Sequence, residues 1–236
     1  MAKLSNVDHR ANLLLAALEP EAFACLEPHL ELVDLAHKQV LYETDDMVGF
    51  AYFPHDAIIS LVNVMENGTT TEVALFGRFV VQMAGAASRI SVERLNIGRD
   101  TCSGLRQLIR NYTEALLSQT FQTVSCNAVH SVEARCCRWI LSVHDRTEGD
   151  MLPLTHEFLA DMLGVQRSTL SVVARNLQTA GLIRQSRGGI TVADRARLEK
   201  TACECYGRIR RFYERVLPDL SSRRSRQKEL RHRRGF

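Results

Sequence analysis

The sequence predicts an α+β protein in which a β-rich N-terminal part, one long helix and a small helical C-terminal part follow one another. Between residues 32 and 81, short runs of β-branched and aromatic residues are separated by turn residues. From residue 100 apolar residues recur at helical spacing, and from 155 to 192 two short helical patterns precede two short strand patterns. With 236 residues, the chain can form two modest domains, each with its own core.

The composition is that of a globular protein, with 45% apolar and 24% charged residues. The apolar run from Leu13 to Leu18 is too short to span a bilayer and lacks the flanks of a signal peptide. We therefore expect a cytoplasmic protein with no membrane partner. The seven cysteines are odd in number and scattered, so we expect no disulfide framework.

The stretch from Thr155 to Val192 begins with two short helices. Thr155 can cap the first helix, and Gly164 can end it because glycine tolerates a positive φ. The first helix has one apolar face, made of Phe158, Leu159, Met162 and Leu163. A helix-turn-helix needs a small contact residue, a turn residue and a core residue. These positions are taken by Ala160, Gly164 and Leu170, respectively.

The second helix has an apolar and a polar face, and Gly181 closes it. Its inward residues are Leu170, Val173, Ala174 and Leu177, and its outward residues are Gln166, Arg167, Ser168, Ser171 and Arg175. The runs 182–185 and 190–192 predict two strands around Arg187-Gly188-Gly189, which form a basic wing. The convergence of these signals predicts a DNA-binding device.

This part of the chain resembles the winged helix of the CRP/FNR superfamily of bacterial transcription regulators. The pattern is Leu159 to Gly164 (L-A-D-M-L-G), then Leu177 and Ala180 to Ile183 (A-G-L-I). The stretch Cys203 to Tyr206 is similar to a branch whose members lack a recognised cyclic-nucleotide site. The resemblance, weaker from about residue 10 to 213, implies a sensor β-roll of the cyclic-nucleotide-binding type, a long dimer helix and a C-terminal DNA-binding domain.

The N-terminal part predicts a helical lead-in and then the β-roll. Residues 1–31 have helical periodicity, with Pro20 opening a second short helix. The runs 40–42, 51–53 and 58–64 predict strands, and Asn67-Gly68 predicts a hairpin turn into a strand over 69–76. This pattern fits a jelly-roll-like β domain.

The roll departs from the pattern of its relatives after Arg78. Related chains carry a Gly-Arg-Glu-Gly motif and a further loop and strand there, so this roll is expected to be shortened. The residues that hold cyclic-nucleotide phosphate and ribose are not in the expected arrangement. Arg89 follows a superficially similar stretch, but the segment from Arg89 to Leu95 predicts a short amphipathic helix on a solvated face.

A long helix is expected from Asp100 to about Asn127, capped by Asp100 or Ser103. Its apolar residues follow a heptad seam, with the members Leu105, Ile109, Tyr112 and Leu116. We interpret it as the dimer helix, since winged-helix modules usually read symmetric DNA as dimers. The alternative is a single helix buried within one subunit. A further amphipathic helix is expected from Val132 to Val143.

After the wing, Asp194 can cap one last helix from Leu198 to Val216, which Pro218 ends. Residues 221–236 carry seven Lys or Arg and one acid, so the net charge of this segment is +6 and that of the remaining residues is −3. This segment is expected to be disordered. It is interpreted as an electrostatic arm on the DNA backbone or, alternatively, as a solubility tail.

The domain boundaries that we expect are a degenerate roll over 1–99, the dimer helix and the following helix over 100–147, the winged helix-turn-helix over 148–217 and the basic tail over 218–236. Double-stranded DNA and a second copy of the chain are the expected partners, and RNA polymerase is a further candidate. An alternative function is that of a protein-interaction module with a vestigial DNA-binding domain.

Enzyme motifs, catalytic residues and a cofactor are not indicated, and the sequence does not identify an effector. Cys203-x-Cys205 and Cys136-Cys137 could bind metal or sense oxidation. Both pairs fall on predicted helices without zinc-type spacing, so no metal site is expected. The N-terminal cysteine cluster of oxygen-sensing iron–sulfur relatives is absent, because only Cys25 precedes the roll.

DNA contacts are expected from one face of the second helix and from the wing. Gln166, Arg167, Ser168 and Ser171 are placed for base edges, and Arg167 matches the base-reading arginine of the family. Relatives that read T-G-T-G-A have Glu and Arg where this chain has Ser168 and Val172, so its operator should differ. Phosphate contacts are expected from Arg175, Arg184 and Arg187.

Overall fold

The structure, a computed structural model, describes residues 8–43, 45–64, 70–72, 78–147 and 149–218. The predicted Asn67-Gly68 turn, most of the strand predicted over 69–76 and the basic tail lie outside these residues. The chain divides into two compact units. One holds Met1–Ile59, Val81–Leu116 and Arg211–Phe236, and the other holds Ser60–Val80 and Leu117–Arg210.

The helical lead-in consists of α1 (Leu13–Ala17) and α2 (Pro20–Ala24), as predicted. The Asn12 side chain caps α1 by accepting hydrogen bonds from the amides of Leu14 and Leu15 at 2.9 and 3.2 Å. Pro20 stands in the first turn of α2, where its missing N–H costs nothing. The buried side chains of this region form a core, with the members Leu15, Leu18, Ala22, Phe23, Leu26, Leu30, Ile90 and Leu105.

Antiparallel strands form the β-roll. They are β1 (Glu31–Leu35), β2 (Val40–Tyr42), β3 (Phe50–Pro54), β4 (Ile58–Val64), β5 (Thr70–Glu72), β6 (Arg78–Met83) and β7 (Gly85–Ser91). One sheet has the order β1-β7-β3, and the other has the order β2-β6-β4-β5. The strands predicted at 40–42, 51–53 and 58–64 are confirmed. Leu35, Ala57, Val81 and Ala87 form a buried cluster.

The prediction of a helix from Arg89 to Leu95 is wrong in its first half. Residues up to Ser91 belong to β7, which pairs with β1 on one side and β3 on the other. The backbone N–H and C=O groups of β7 thus form hydrogen bonds with two neighbouring strands, and not with one another as in a helix. The helix α3 (Val92–Thr101) begins only after Ser91, whose hydroxyl accepts a hydrogen bond from the Arg94 amide at 3.3 Å.

The long helix α4 (Ser103–Val129) is confirmed, but it begins three residues later than Asp100. Asp100 lies inside α3 and pairs with Arg99 at 3.0 Å, so it does not cap α4. Helix α5 (Val132–His144) follows as predicted, and Ser131 caps it through the Ala134 amide at 3.3 Å.

The C-terminal elements are β8 (Met151–Leu152), α6 (His156–Leu163), α7 (Arg167–Thr179), β9 (Ile183–Ser186), β10 (Gly189–Val192), α8 (Arg195–Thr201) and α9 (Cys205–Val216). The sheet order is β8-β10-β9, so the wing has a third strand that the sequence did not predict. A two-residue strand has too little pattern to be recognised.

The prediction of one helix after Asp194 is also wrong. Asp194 does cap α8, accepting from the Arg197 amide at 2.9 Å, but Ala202 has extended backbone angles and α9 begins at Cys205. Cys203 and Cys205 are both buried in one cluster with Cys126. Residues two apart on a helix do not share a face, so the helix must break for both thiols to reach the same place.

The sequence analysis expects no disulfide framework, and the structure has a disulfide at one pair of cysteines. Cys25, just after α2, is joined to Cys102, which lies between α3 and α4. The two residues are 77 apart in sequence, so their proximity follows from the packing of the helical lead-in. Across the described ranges, no helix combines the length and the apolar character that crossing a membrane requires.

Candidate nucleic-acid interface

Two left-handed glycines shape the helix-turn-helix. Thr155 caps α6 through the Phe158 amide at 3.1 Å, and Gly164 has φ 62° and ψ 42°, as predicted. The amides of Gly164 and Val165 donate to the carbonyls of Asp161 and Ala160 at 3.1 and 3.0 Å, which satisfies the end of α6. Gly181, at φ 74°, follows α7 in the same way.

The two helices pack through the apolar faces that the sequence predicts. Leu159, Ala160, Met162 and Leu163 of α6 are buried, as are Leu170, Val173, Ala174 and Leu177 of α7. Phe158 contacts Trp139 of α5 edge-on, with ring centroids 5.2 Å apart. Arg135 of α5 is buried, and its guanidinium donates to the Leu163 carbonyl at 2.6 Å. This bond anchors the end of α6 just before the turn.

The outer face of α7 is exposed at its N-terminal end. Gln166, Arg167, Ser168 and Arg175 are exposed. Gln166 is the N-cap residue, but its side chain does not cap the helix. The first amides of α7 are therefore available to a phosphate group, which the positive end of a helix dipole favours.

Ser171 and Val172 also lie on this face, and the exposure of each differs from what the sequence analysis assumed. Ser171 is only half-exposed, and its hydroxyl donates to the Arg167 carbonyl at 2.9 Å while lying 3.3 Å from His156 Nδ1. Val172 is 56% exposed, although it is apolar. Sequence reasoning noted Val172 only as a departure from its relatives; the missed signal is an apolar residue on the polar face of an amphipathic helix.

The wing is a tight antiparallel hairpin. Ser186 pairs with Gly189 across a turn made by Arg187 and Gly188. Gly189 is buried with φ 144°, and a β-carbon there would collide with the Leu152 carbonyl of β8. Gln185 ties the wing to α7, because its side chain donates to the Ala174 carbonyl at 3.0 Å. Arg184 and Arg187 are exposed.

This face carries uncompensated positive charge. Among the residues that the structure describes, the side chains of Arg167, Arg175, Arg184 and Arg187 pair with no carboxylate. Such an arrangement attracts a polyanion and leaves each guanidinium free to donate hydrogen bonds to it.

Behind the wing, a polar network joins α5, α8 and α9. Arg195 contacts Asp145 at 2.8 Å, Glu199 at 3.0 Å and the Tyr206 hydroxyl at 2.7 Å. The Tyr206 hydroxyl in turn donates to Asp145 at 2.8 Å. Burial, followed by the charge of Asp145, raises the pKa of Tyr206 to about 12. The network acts as scaffold.

In the roll, the stretch that resembles a phosphate-binding arginine is already engaged. Arg89 pairs with Glu31 at 2.9 Å and stacks on Phe50. Ser88 is fully buried, and its hydroxyl lies 2.7 Å from His9 Nδ1 and 2.8 Å from His55 Nε2. These contacts leave neither side chain directed toward a ligand.

The cysteine pairs that the sequence singled out have different surroundings. Cys136 and Cys137 are buried in α5, and burial raises the pKa of both thiols, to about 12 for Cys137. Buried thiols of this kind are unreactive. Cys203 and Cys205 instead meet Cys126 and His130. Sequence reasoning missed this group because its members come from two segments more than 70 residues apart.

The family model of the Crp-like helix-turn-helix domain matches residues 134–201, which span α5, the helix-turn-helix, the wing and α8. No curated protein sequence matches the chain. Solved structures of regulators share the architecture at low identity. A transcriptional regulator of the CRP/FNR family from Eubacterium rectale is 17% identical, with a TM-score of 0.57, covering 81% of this chain and 98% of its own.

FixK2 from Bradyrhizobium japonicum is 12% identical, with a TM-score of 0.64, covering 74% of this chain and 98% of its own. A variant of CooA from Carboxydothermus hydrogenoformans is 12% identical, with a TM-score of 0.60. The match covers 84% of this chain and 97% of the CooA chain. These similarities establish a shared fold. Residues 134–201 therefore carry a Crp-like helix-turn-helix domain, in a chain whose fold is shared with these regulators.

Proposed function

We propose that this protein is a DNA-binding transcription regulator of the CRP/FNR superfamily, a cytoplasmic homodimer that reads an inverted repeat through α7, with half-site centres one helical turn, roughly 34 Å, apart. The observation that carries the proposal is the exposed and uncapped N-terminal end of α7, which presents Arg167 and Ser168 to solvent. In winged-helix proteins this end of the recognition helix enters the major groove.

Base recognition is assigned to the outward residues Gln166, Arg167, Ser168 and Ser171. A guanidinium can donate two hydrogen bonds to O6 and N7 of guanine, so Arg167 is assigned to a G·C pair. Ser171 keeps an acceptor lone pair although its proton is engaged. Val172 adds an exposed apolar group one turn from Ser168, and such groups contact the methyl of thymine.

Phosphate contacts are assigned to Arg175, Arg184 and Arg187. They flank the base-reading residues on the same helix and on the wing, and all are exposed. Contacts of this kind position the protein on the duplex and carry no base identity.

The dimer contact is assigned to α4. Within the predicted seam, Leu105 is 2% exposed and Ile109 packs on the same core, so both face their own subunit, whereas Tyr112 is 37% exposed. A second stripe with heptad spacing follows on another face of α4, with the members Leu117, Phe121, Val124 and Ala128. Phe121 and Val124 are 67% and 63% exposed. Large apolar side chains exposed in a row favour a protein partner.

The dimer assignment is tested by substituting one residue of this stripe. Phe121→Asp should shift the full-length protein from dimer to monomer in analytical ultracentrifugation and reduce its affinity for an inverted repeat far more than for a half-site. Val129→Asp is the matched control, because Val129 is 73% exposed on the same helix but off the stripe. A wild-type monomer that binds the inverted repeat with full affinity would contradict the proposal.

The DNA-reading assignment is tested by selection from random duplexes with the full-length protein. The expected product is an enriched inverted repeat, to which the wild type binds more tightly than to a scrambled duplex. Failure to enrich any sequence, by protein that is shown to be dimeric, would favour the protein-interaction alternative.

The basic tail extends the proposal, although residues 221–236 lie outside the described residues. Each phosphate that the tail neutralises steepens the slope of log K against log salt by about 0.9. If three or four of the seven charges engage, deleting residues 221–236 should flatten the slope by roughly 3 units for specific and scrambled duplexes alike. An unchanged slope in fluorescence anisotropy would assign the tail to solubility.

A further inference from the structure

Four side chains of metal-ligand type converge inside the second compact unit. The ligand atoms of Cys126, His130, Cys203 and Cys205 all lie within 4.8 Å of one another. Cys126 and His130 stand one turn apart at the end of α4, where the His130 amide donates to the Cys126 carbonyl at 3.1 Å. Cys203 lies in the break between α8 and α9, and Cys205 is the first residue of α9.

Two of the distances in this group match those between the ligands of a tetrahedral metal ion. Zn²⁺ binds thiolate at about 2.3 Å and imidazole at about 2.0–2.1 Å, so a tetrahedron separates two sulfurs by about 3.8 Å and a sulfur from a nitrogen by about 3.6 Å. The Sγ atoms of Cys126 and Cys203 are 3.5 Å apart, and Cys205 Sγ lies 3.6 Å from His130 Nδ1. The two sulfurs are well beyond the disulfide bond length of about 2.05 Å.

The outer partners orient the ligands as metal sites require. His130 Nε2 lies 3.0 Å from Glu204 Oε2, so the carboxylate holds the proton on Nε2 and leaves the Nδ1 lone pair directed at the thiols. Burial raises the pKa of Cys205, and Gln122 partly offsets this by donating a hydrogen bond from Nε2 to Cys205 Sγ at 3.0 Å.

Burial and charge also suit a bound cation. Cys126, Cys203 and Cys205 are buried together, and the small Ala134 packs against them as a partly buried apolar side chain. Three thiolates carry a charge of −3, which Zn²⁺ reduces to −1. The guanidinium of Arg138 is buried and close enough for its charge to act on Cys126. The group therefore approaches neutrality, as a buried ionic site must.

We infer that Cys126, His130, Cys203 and Cys205 form a tetrahedral S₃N site for Zn²⁺. Each thiol releases its proton to solvent as its sulfur binds the ion. Four protein ligands leave no open position, so the site is structural rather than catalytic. It clamps the end of α4 to the break between α8 and α9. The close ligand spacing selects a single ion, because the ligands of an iron–sulfur cluster bind different irons and stand farther apart.

The site is tested first on the wild-type full-length chain. Reduced protein, freed of metal by chelation and given Zn²⁺, should retain one zinc per chain by mass spectrometry of the metal content after gel filtration. With Co²⁺ as the probe, the protein should show thiolate-to-cobalt charge-transfer bands and the intense d–d bands of tetrahedral cobalt. Retention of no metal, with only the weak spectrum of octahedral Co²⁺, would overturn the inference.

Variants assign the ligands. Cys126→Ala and Cys205→Ala should lose stoichiometric zinc, whereas Cys136→Ala is the matched control, since it truncates a buried cysteine of the same unit outside the group. Equal zinc retention by all three would refute the assignment. Glu204→Gln tests the site without truncating a ligand, because Glu204 is 62% exposed. It should keep the tetrahedral cobalt spectrum and bind zinc about 10–100-fold more weakly.

The remaining outcome is a redox pair instead of a metal site. If the reduced wild type binds neither ion and forms a Cys126–Cys203 disulfide on mild oxidation, as peptide mapping would show, the zinc assignment is refuted. Thermal unfolding gives an independent readout, because zinc bound only by the folded protein raises the melting temperature of the wild type and leaves that of Cys205→Ala unchanged.

Discussion

Arginines of the Crp-like helix-turn-helix domain fall into two groups that differ in exposure and in partners. Arg167, Arg184 and Arg187 project from α7 and the wing, are exposed and have no carboxylate partner among the described residues. Arg135 and Arg195 lie behind them, where one donates to the carbonyl at the end of α6 and the other joins Asp145, Glu199 and Tyr206. The domain thus uses arginine both as exposed positive charge and as a hydrogen-bond donor within the fold.

The two groups should respond differently to substitution, because their guanidinium groups have different partners. An exposed arginine exchanges water for phosphate or guanine on binding, so its removal affects DNA and leaves the fold intact. An arginine that bonds to buried or partly buried groups holds them in place, so its removal leaves them unpaired and destabilises the fold.

Arg195→Met should lower the free energy of unfolding by about 2–3 kcal/mol, because it leaves the carboxylate of Asp145 without its cation. Urea unfolding followed by circular dichroism measures the change. Arg197→Met, at an exposed position of the same helix, is the control and should stay within about 0.5 kcal/mol of the wild type. Equal losses for the two variants would remove the distinction between scaffold and surface arginines.

Arg167→Ala should cost about 1–3 kcal/mol of discrimination at one base pair of the operator, with unchanged folding stability. Competition between specific and scrambled duplexes measures the discrimination. Arg167→Lys sharpens the test, because lysine keeps the charge and loses the planar two-donor geometry. If the lysine variant keeps full discrimination, Arg167 contacts phosphate and not guanine.

Tyr206→Phe should change how stability depends on alkaline pH. The pKa of Tyr206 is raised to about 12 in the folded state, so the unfolded chain ionises from about pH 10 while the folded protein keeps the proton. The wild type therefore loses stability between pH 10 and 12, by about 1 kcal/mol at pH 11, and the phenylalanine variant lacks this loss. Parallel unfolding curves of the two proteins from pH 8 to 11 would disprove the coupling.

Arg187→Ala should have the smallest effect, weakening binding to all duplexes alike. One lost phosphate contact lowers the slope of log K against log salt by about 0.9. Fluorescence anisotropy across a salt series measures it, and Arg187→Lys should restore the slope because the charge returns. A loss confined to the specific duplex would reassign Arg187 to base recognition.

The exposed group was predictable from the sequence, and the group engaged with protein partners was not. Arg167 and Arg187 stand beside local markers, the turn glycine Gly164 and the Gly188-Gly189 pair, that define the helix start and the wing tip. Arg195 stands beside a cap residue and looks like an ordinary surface charge. Its partners come from α5 and α9, so its role depends on three segments meeting in space.

The same division applies to the secondary structure. The strand β7 was misread as a helix because its stability comes from β1 and β3, more than 30 residues away. The break between α8 and α9 was missed because its cause is the packing of Cys203 and Cys205 on Cys126. Both errors arise where long-range contacts override local helical periodicity.

The sequence by itself determined the helix-turn-helix: its caps, its turn glycines and the two faces of α7 depend on interactions within a few residues. Tertiary structure alone decided which apolar residues of α4 are buried, since Leu105 meets the helical lead-in and Phe121 does not. It alone brought Cys126 and His130 to Cys203 and Cys205. Periodicity shows that a helix has an apolar face, but burial of that face requires a second surface from elsewhere in the chain or from a partner.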